Sequence, residues 1–162
     1  GLRTRLNETF GITLPETQPV LASVGALIER KGQDLVIGAL VQLPGTHLML
    51  VGKGADEGHL RSLATDLGVA ARVHFLGSLD HDTLPLVLSA SDAMVLPTRS
   101  EGLANAWVEA LACGTPVVTT DVGGVRELVT SPEAGALVDR TIPAIVTGIS
   151  EVLTRQAPRE QV

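Results

Sequence analysis

The chain reads as an α/β domain: a parallel sheet of about six strands with helices on both faces. Three observations predict this. Short β-branched runs alternate with amphipathic stretches of about ten residues, the pattern of right-handed crossover units. The runs are almost continuously apolar, as strands covered on both faces must be. Glycines close the runs: Gly25, Gly52, Gly54, Gly77 and Gly102 each follow one. They sit on the edge where open α/β sheets bind ligands, and glycine lets backbone approach a ligand closely. The expected architecture is Rossmann-like.

The elements follow in order. An amphipathic helix is expected over Leu2–Phe10, then a strand over Val20–Val24 and a helix over Gln33–Val41. Strand His47–Val51 leads to helix Glu57–Leu67, and strand Arg72–Leu76 to helix Thr83–Ser89. Strand Ala93–Leu96 precedes helix Asn105–Ala112, and Val117–Thr119 precedes a short helix at Val125–Val129. A last strand, Ala136–Val138, feeds helix Ile142–Thr154; residues 156–162 are polar and expected to fray. Residues 1–162 make one domain, long enough for a sizeable core, and read as a domain excised from a two-domain enzyme.

Composition narrows the function. A net charge of −6 argues against nucleic-acid binding, which rests on Lys and Arg. Two Phe, one Trp and no Tyr leave no stacking platform for bases. No apolar run reaches the roughly 20 residues of a membrane span, and no signal peptide is visible at the start. Cys113, alone, has no internal disulfide partner; it fits a reducing, cytoplasmic setting and reads as a small buried residue.

The most telling stretch runs from Pro97 to Pro116. It places Glu101 on the loop leaving a strand and Glu109 inside the next helix, eight positions on. Carboxylates accept paired hydrogen bonds from adjacent hydroxyls, and a sugar nucleotide offers two diols. They would repel phosphates, so the two glutamates should flank a diphosphate site. Residues Gly102, Leu103, Ala104 and Asn105 open the helix, and its free N–H groups carry roughly half a positive charge. A second motif, Gly25 to Gly32, leaves the first strand through Lys31-Gly32. A lysine there can reach a diphosphate and neutralise a leaving group without metal. Arg30 is expected to point elsewhere and to be mostly structural.

Other motifs carry less. Gly52-Lys53-Gly54 lacks the full dinucleotide spacing, which speaks against a nicotinamide-dependent oxidoreductase. Backbone near Leu79, after Gly77, could pair with a base edge, whereas His74 reads as packing. Asp80-His81-Asp82 reads as a helix N-cap rather than a metal site. No His/Cys cluster with metal spacing is present, and neither cofactor nor metal is expected. Glycines 123 and 124 could pass backbone beneath the ligand.

Together, Gly25 to Gly32, Leu50-Val51-Gly52-Lys53-Gly54, Phe75-Leu76-Gly77 and Glu101 to Val118 resemble the C-terminal, donor-binding domain of the family 4 (group 1) glycosyltransferases, which have the two-domain GT-B fold. The resemblance covers residues 20 to about 150. It implies that Glu101 contacts the hexose, Glu109 the ribose, residues 102–105 and Gly25 the donor, and Lys31 the departing diphosphate, with backbone near Leu79 on the base. It implies hexosyl transfer that is metal-independent and retaining, to an acceptor held by an N-terminal domain absent from this chain; the parent can still associate with a membrane surface. The family often has an arginine after the first glycine, where this chain has Ala26; Arg30 and Arg99 are the neighbouring candidates to substitute. A GT-B-like sugar-nucleotide epimerase and a non-catalytic nucleotide-sugar-binding module stay open beside this reading.

Overall fold

A computed structural model describes residues 1–102 and 104–160, the side chains of residues 156–160 excepted. Its elements are α1 (Leu2–Phe10), β1 (Val20–Val24), α2 (Gln33–Ala39), β2 (His47–Val51), α3 (Glu57–Asp66), β3 (Val73–Gly77), α4 (Leu84–Ala90), β4 (Ala93–Leu96), α5 (Asn105–Ala112), β5 (Val117–Thr119), β6 (Gly135–Leu137) and α6 (Ile142–Glu160). The six strands form one parallel sheet in the order β3-β2-β1-β4-β5-β6. That is the doubly wound Rossmann order, which reverses direction between β1 and β4.

Alternation along each strand sends side chains to two separate cores. Leu21, Leu48, Leu50, Ala93, Val95 and Val118 face a layer formed with α2, α3 and α6. Val20, Ala22, Met49, Met94, Leu96 and Val117 face the layer of α1, α4 and α5, where Trp107 is the largest fully buried side chain. Because both faces are covered, the strands are apolar at nearly every position, with Ser23, His47, His74 and Thr119 as the polar exceptions.

Several boundaries differ from expectation for identifiable reasons. Arg72 does not begin β3: its guanidinium donates to the carbonyl oxygens of Leu40, Leu43 and Thr46, which holds residues 70–72 in a 3₁₀ turn. The stretch 125–129 forms only a 3₁₀ turn at Val125–Glu127, since so short a segment offers little return for helix nucleation. Strand β6 begins one residue early, at Gly135, whose Cα lies against the Val117 carbonyl; a Cβ there would come within 1.8 Å of it. Helix α2 tightens into a 3₁₀ turn at Leu40–Gln42. Helix α6 continues past Thr154, where Arg155 pairs with Glu151 at 3.8 Å and donates to the Pro132 carbonyl. Cys113 is half-buried rather than buried, with Sγ 3.8 Å from the Pro85 carbonyl, because it sits where α5 ends.

His47, the first residue of β2, and His74 of β3 form a pair that the sequence does not announce. The rings stack with centroids 5.2 Å apart, and Nδ1 of His47 lies 2.9 Å from Nε2 of His74. Burial, and then the His47 neighbour, push His74 down to about 4; burial, and then Arg72 and Arg3, lower His47. Between pH 4 and 6.5 the unfolded chain therefore binds more protons than the folded one, so stability rises with pH in that window. Acidification from pH 7 to 4 is expected to cost on the order of 1–2 kcal/mol at His74, allowing for solvent screening around a half-buried group. Thermal denaturation across this range measures it: His74→Phe should flatten the dependence, and an unchanged slope would exclude the pair as its source.

Candidate functional site

The site lies at the carboxyl ends of β1 and β4, the two strands between which the sheet order reverses. A parallel sheet leaves a crevice there because the flanking connections diverge to opposite faces. The chain leaving β1 is anchored by Gly25 N–H donating to Val51 O (2.9 Å) and Leu27 N–H to Lys53 O (3.0 Å). It then forms a 3₁₀ turn at Glu29–Lys31, closed by Gly32 with φ +78°. A side chain at Gly32 is prohibited twice, by that φ and by Pro97 O, which a Cβ would meet at 2.4 Å. The Lys31 side chain folds back over Gly25; its Cδ, Cε and Nζ lie 3.6–3.8 Å from where a Gly25 Cβ would stand.

The chain leaving β4 carries Glu101 to the same place. Lys31 Nζ donates to Glu101 Oε1, and the two side chains are 13% and 11% exposed. Thr98 Oγ1, wholly buried, lies 3.2 Å from the same oxygen, and Arg30 approaches it at 3.4 Å. Every donor that the described residues bring to Glu101 thus converges on Oε1. Thr98 is itself held, because Thr120 Oγ1 donates to its carbonyl. The Glu101–Gly102 loop is braced by Gly124 N–H on Gly102 O (3.0 Å) and by Gly123 at φ +54°, where a Cβ would lie 1.9 Å from Gly102 O. The 123–124 glycines therefore pass beneath this loop.

Helix α5 begins four residues after Glu101. Buried Ala104 precedes it in extended conformation, and no side chain caps the helix, so its first N–H groups are open to a ligand. Trp107 fixes the helix axis: it is fully buried, and its Nε1 donates to Thr119 Oγ1 (3.2 Å), which donates to Leu96 O (2.6 Å). One turn apart on the exposed face, Asn105 and Glu109 look over the same space.

Gly25, Lys31, Glu101, Ala104, Asn105 and Glu109 all line one cavity of about 370 Å³, with Leu84, Val24 and Leu96 as apolar wall. The cavity thus pairs one ammonium group and an open helix start with two carboxylates. A larger groove of about 540 Å³ between β6 and α6 contains none of these residues, and no cation lines it.

The other expected residues fall differently. Leu79 does not line the cavity; its side chain is half-buried in the core shared by α4 and α5. Gly102 does not line it either, since its carbonyl is turned toward the 123–124 turn. Leu103 lies outside the described residues. Arg30 corrects the expectation that it points elsewhere: it donates to Ser100 O at 2.5 Å as well as approaching Glu101. Arg99 faces the exposed Glu29 at 3.5 Å. Asp80 closes the turn before α4 and is not its N-cap, which is Thr83: its Oδ1 accepts the N–H groups of Asp82 (3.1 Å) and Thr83 (2.8 Å), and the Thr83 hydrogen bonds hold its carboxyl below the usual range. Among the described residues, no group of three or more His, Cys, Asp or Glu could hold a metal ion, and no helix is long and apolar enough to cross a membrane. Sequence reasoning missed Thr98 and Arg140. Thr98 carried a faint signal, a hydroxyl three residues before the glutamate; Arg140 carried none.

Comparison with known proteins places this geometry. The family model described as glycosyl transferases group 1 matches residues 5–162. The lipopolysaccharide core biosynthesis glycosyltransferase LpsE of Rhizobium meliloti (strain 1021) is 43% identical over 125 residues, 77% of this chain and 36% of that protein. Sucrose-phosphate synthase from Thermosynechococcus elongatus superposes with a TM-score of 0.86 at 32% identity, over 96% of this chain and 40% of that one. Anabaena Alr3699/HepE, solved in complex with UDP-glucose, superposes with a TM-score of 0.80 at 28% identity, over 99% of this chain and 44% of that one. The chain spans less than half the length of each of these relatives. With its switch-point cavity and its match over nearly every residue, the chain belongs to the group 1 glycosyltransferases.

Proposed function

We propose that this chain is the donor-binding half of a glycosyltransferase: it holds a nucleotide-diphosphate sugar while an N-terminal domain supplies the acceptor. One observation carries the reading. A single cavity holds Lys31 and an uncapped helix start, which suit a diphosphate, beside Glu101 and Glu109, which suit the flanking hydroxyls. The complex of HepE with UDP-glucose supports this choice of ligand.

Roles follow from charge. Negative charge builds on the departing diphosphate as its bond to the sugar carbon breaks. Lys31 and the first N–H groups of α5 stabilise that charge, and stabilisation aimed at the transition state is what accelerates the step. Glu101 accepts hexose hydroxyls through Oε2, since protein donors already occupy Oε1. Glu109 accepts the ribose hydroxyls, and Ala104, Asn105 and Gly25 form the backbone cradle. The transfer needs no metal on this reading and retains the anomeric configuration. Leu79, off the cavity wall, offers the base its backbone rather than its side chain.

Calorimetry with UDP, GDP, ADP and their sugar conjugates tests the reading. One base series should bind, and Glu109→Ala should weaken it roughly tenfold, the worth of a charge-assisted hydrogen bond. Because Glu109 is exposed, the melting midpoint of this variant should not change. No heat with any series at millimolar concentration would overturn the proposal.

A further inference from the structure

We propose that Arg140 is a positioning residue that sets the Lys31 ammonium against the donor diphosphate; the proposal rests on the donor-binding reading above. Arg140 lies in the loop between β6 and α6. Its Nε donates to Pro97 O (3.0 Å) and its second nitrogen to Glu29 O (3.1 Å). Those carbonyls belong to the two segments that deliver Glu101 and Lys31. A guanidinium is a planar, rigid fork, so it fixes the separation of the two carbonyls it bridges.

The position of Lys31 depends on that separation. Its side chain is confined between Gly25 on one side and Glu101 on the other, and is 13% exposed. With little rotamer freedom left, its Nζ goes where the backbone of residues 29–32 puts it. Gly32 packs directly on Pro97 O, the same carbonyl that Arg140 grips. Arg99 N–H to Arg30 O (2.9 Å) and Arg30 to Ser100 O (2.5 Å) join the two segments from within. Arg140 is the brace that reaches them from a third element. Among the described residues no carboxylate pairs with it, so ion pairing is not its task. Misplacing a reacting group by an ångström costs up to about a hundredfold, which makes such a brace consequential.

A double-mutant cycle read by calorimetry tests this, with UDP against UMP and GDP against GMP as probes. The wild-type chain should prefer the diphosphate about tenfold, and Lys31→Ala should remove that preference. Arg140→Gln should reduce it roughly fivefold while monophosphate affinity holds, and Arg140→Lys, which can keep only one carbonyl at a time, should fall between. The double variant should bind no more weakly than Lys31→Ala alone. Equal loss for mono- and diphosphate, or losses that add in the double variant, would overturn the positioning role. A wild type without the preference, or a Lys31→Ala that keeps it, would instead overturn the donor-binding reading and the proposal with it. Should Arg140→Gln fail to fold, Arg140→Lys run through the same cycle decides.

Discussion

Lys31→Ala in the intact transferase is expected to lower kcat by about 10²- to 10³-fold, the loss seen when one preorganised group facing developing charge is removed. The donor KM should rise far less, because the ammonium matters most when the diphosphate gains charge in the transition state. Folding should barely change. Glu101 loses one partner but keeps Thr98 at 3.2 Å and Arg30 at 3.4 Å, so no carboxylate is stranded. Steady-state kinetics beside a melting curve separate the two effects. A variant that keeps wild-type kcat would remove Lys31 from the leaving-group site.

Glu101→Ala is expected to be equally damaging to transfer and much worse for stability. It leaves the ammonium of Lys31 and the guanidinium of Arg30 facing one another across an empty corner, with Lys31 13% exposed. Breaking a pair in this direction uncovers a nearly buried charge, which costs about 2–3 kcal/mol, somewhat below the figure for fully buried pairs. Glu101→Gln is the informative companion. Its amide oxygen can still accept from Lys31 and Thr98, so much of the fold is recovered. Its NH₂ group donates where the carboxylate accepted, so activity should stay low if Oε2 receives sugar hydroxyls. Activity close to wild type in Glu101→Gln would show that the glutamate serves only to hold Lys31.

The asymmetry between these variants follows from how the pair is built. Three donors surround one oxygen of Glu101, whereas Glu101 is the sole carboxylate on Lys31 among the described residues. Each partner is therefore not equally dependent on the other. The family model and the relatives establish the family; on the proposed reading, Lys31 bears on turnover and Glu101 on folding as well.

Most of the architecture was legible before any coordinates. Strand β1, strand β2 and strand β4 fall on the stretches expected, because a doubly covered strand must be apolar at nearly every position. The residues that line the cavity were legible as candidates too: Gly25, Lys31, Glu101, Ala104 and Asn105 lie between a strand end and a helix start, and Glu109 lies one turn into that helix. The misplacements came where a long-range contact overruled a local signal. Arg72 left the strand to tie three carbonyls, and Arg30 turned to Ser100 and Glu101 instead of outward.

What the amino-acid order alone determined is local: which stretches are strands, where each turns, and which charged side chains sit at the turns, because period, glycine placement and apolar runs act over a few residues. What only the folded chain decided is which turns meet. Glu29 and Arg140 are 111 residues apart, and Lys31 and Glu101 are 70 apart. Their meeting depends on β1 and β4 becoming neighbours in the sheet, a pairing between elements that no local pattern encodes.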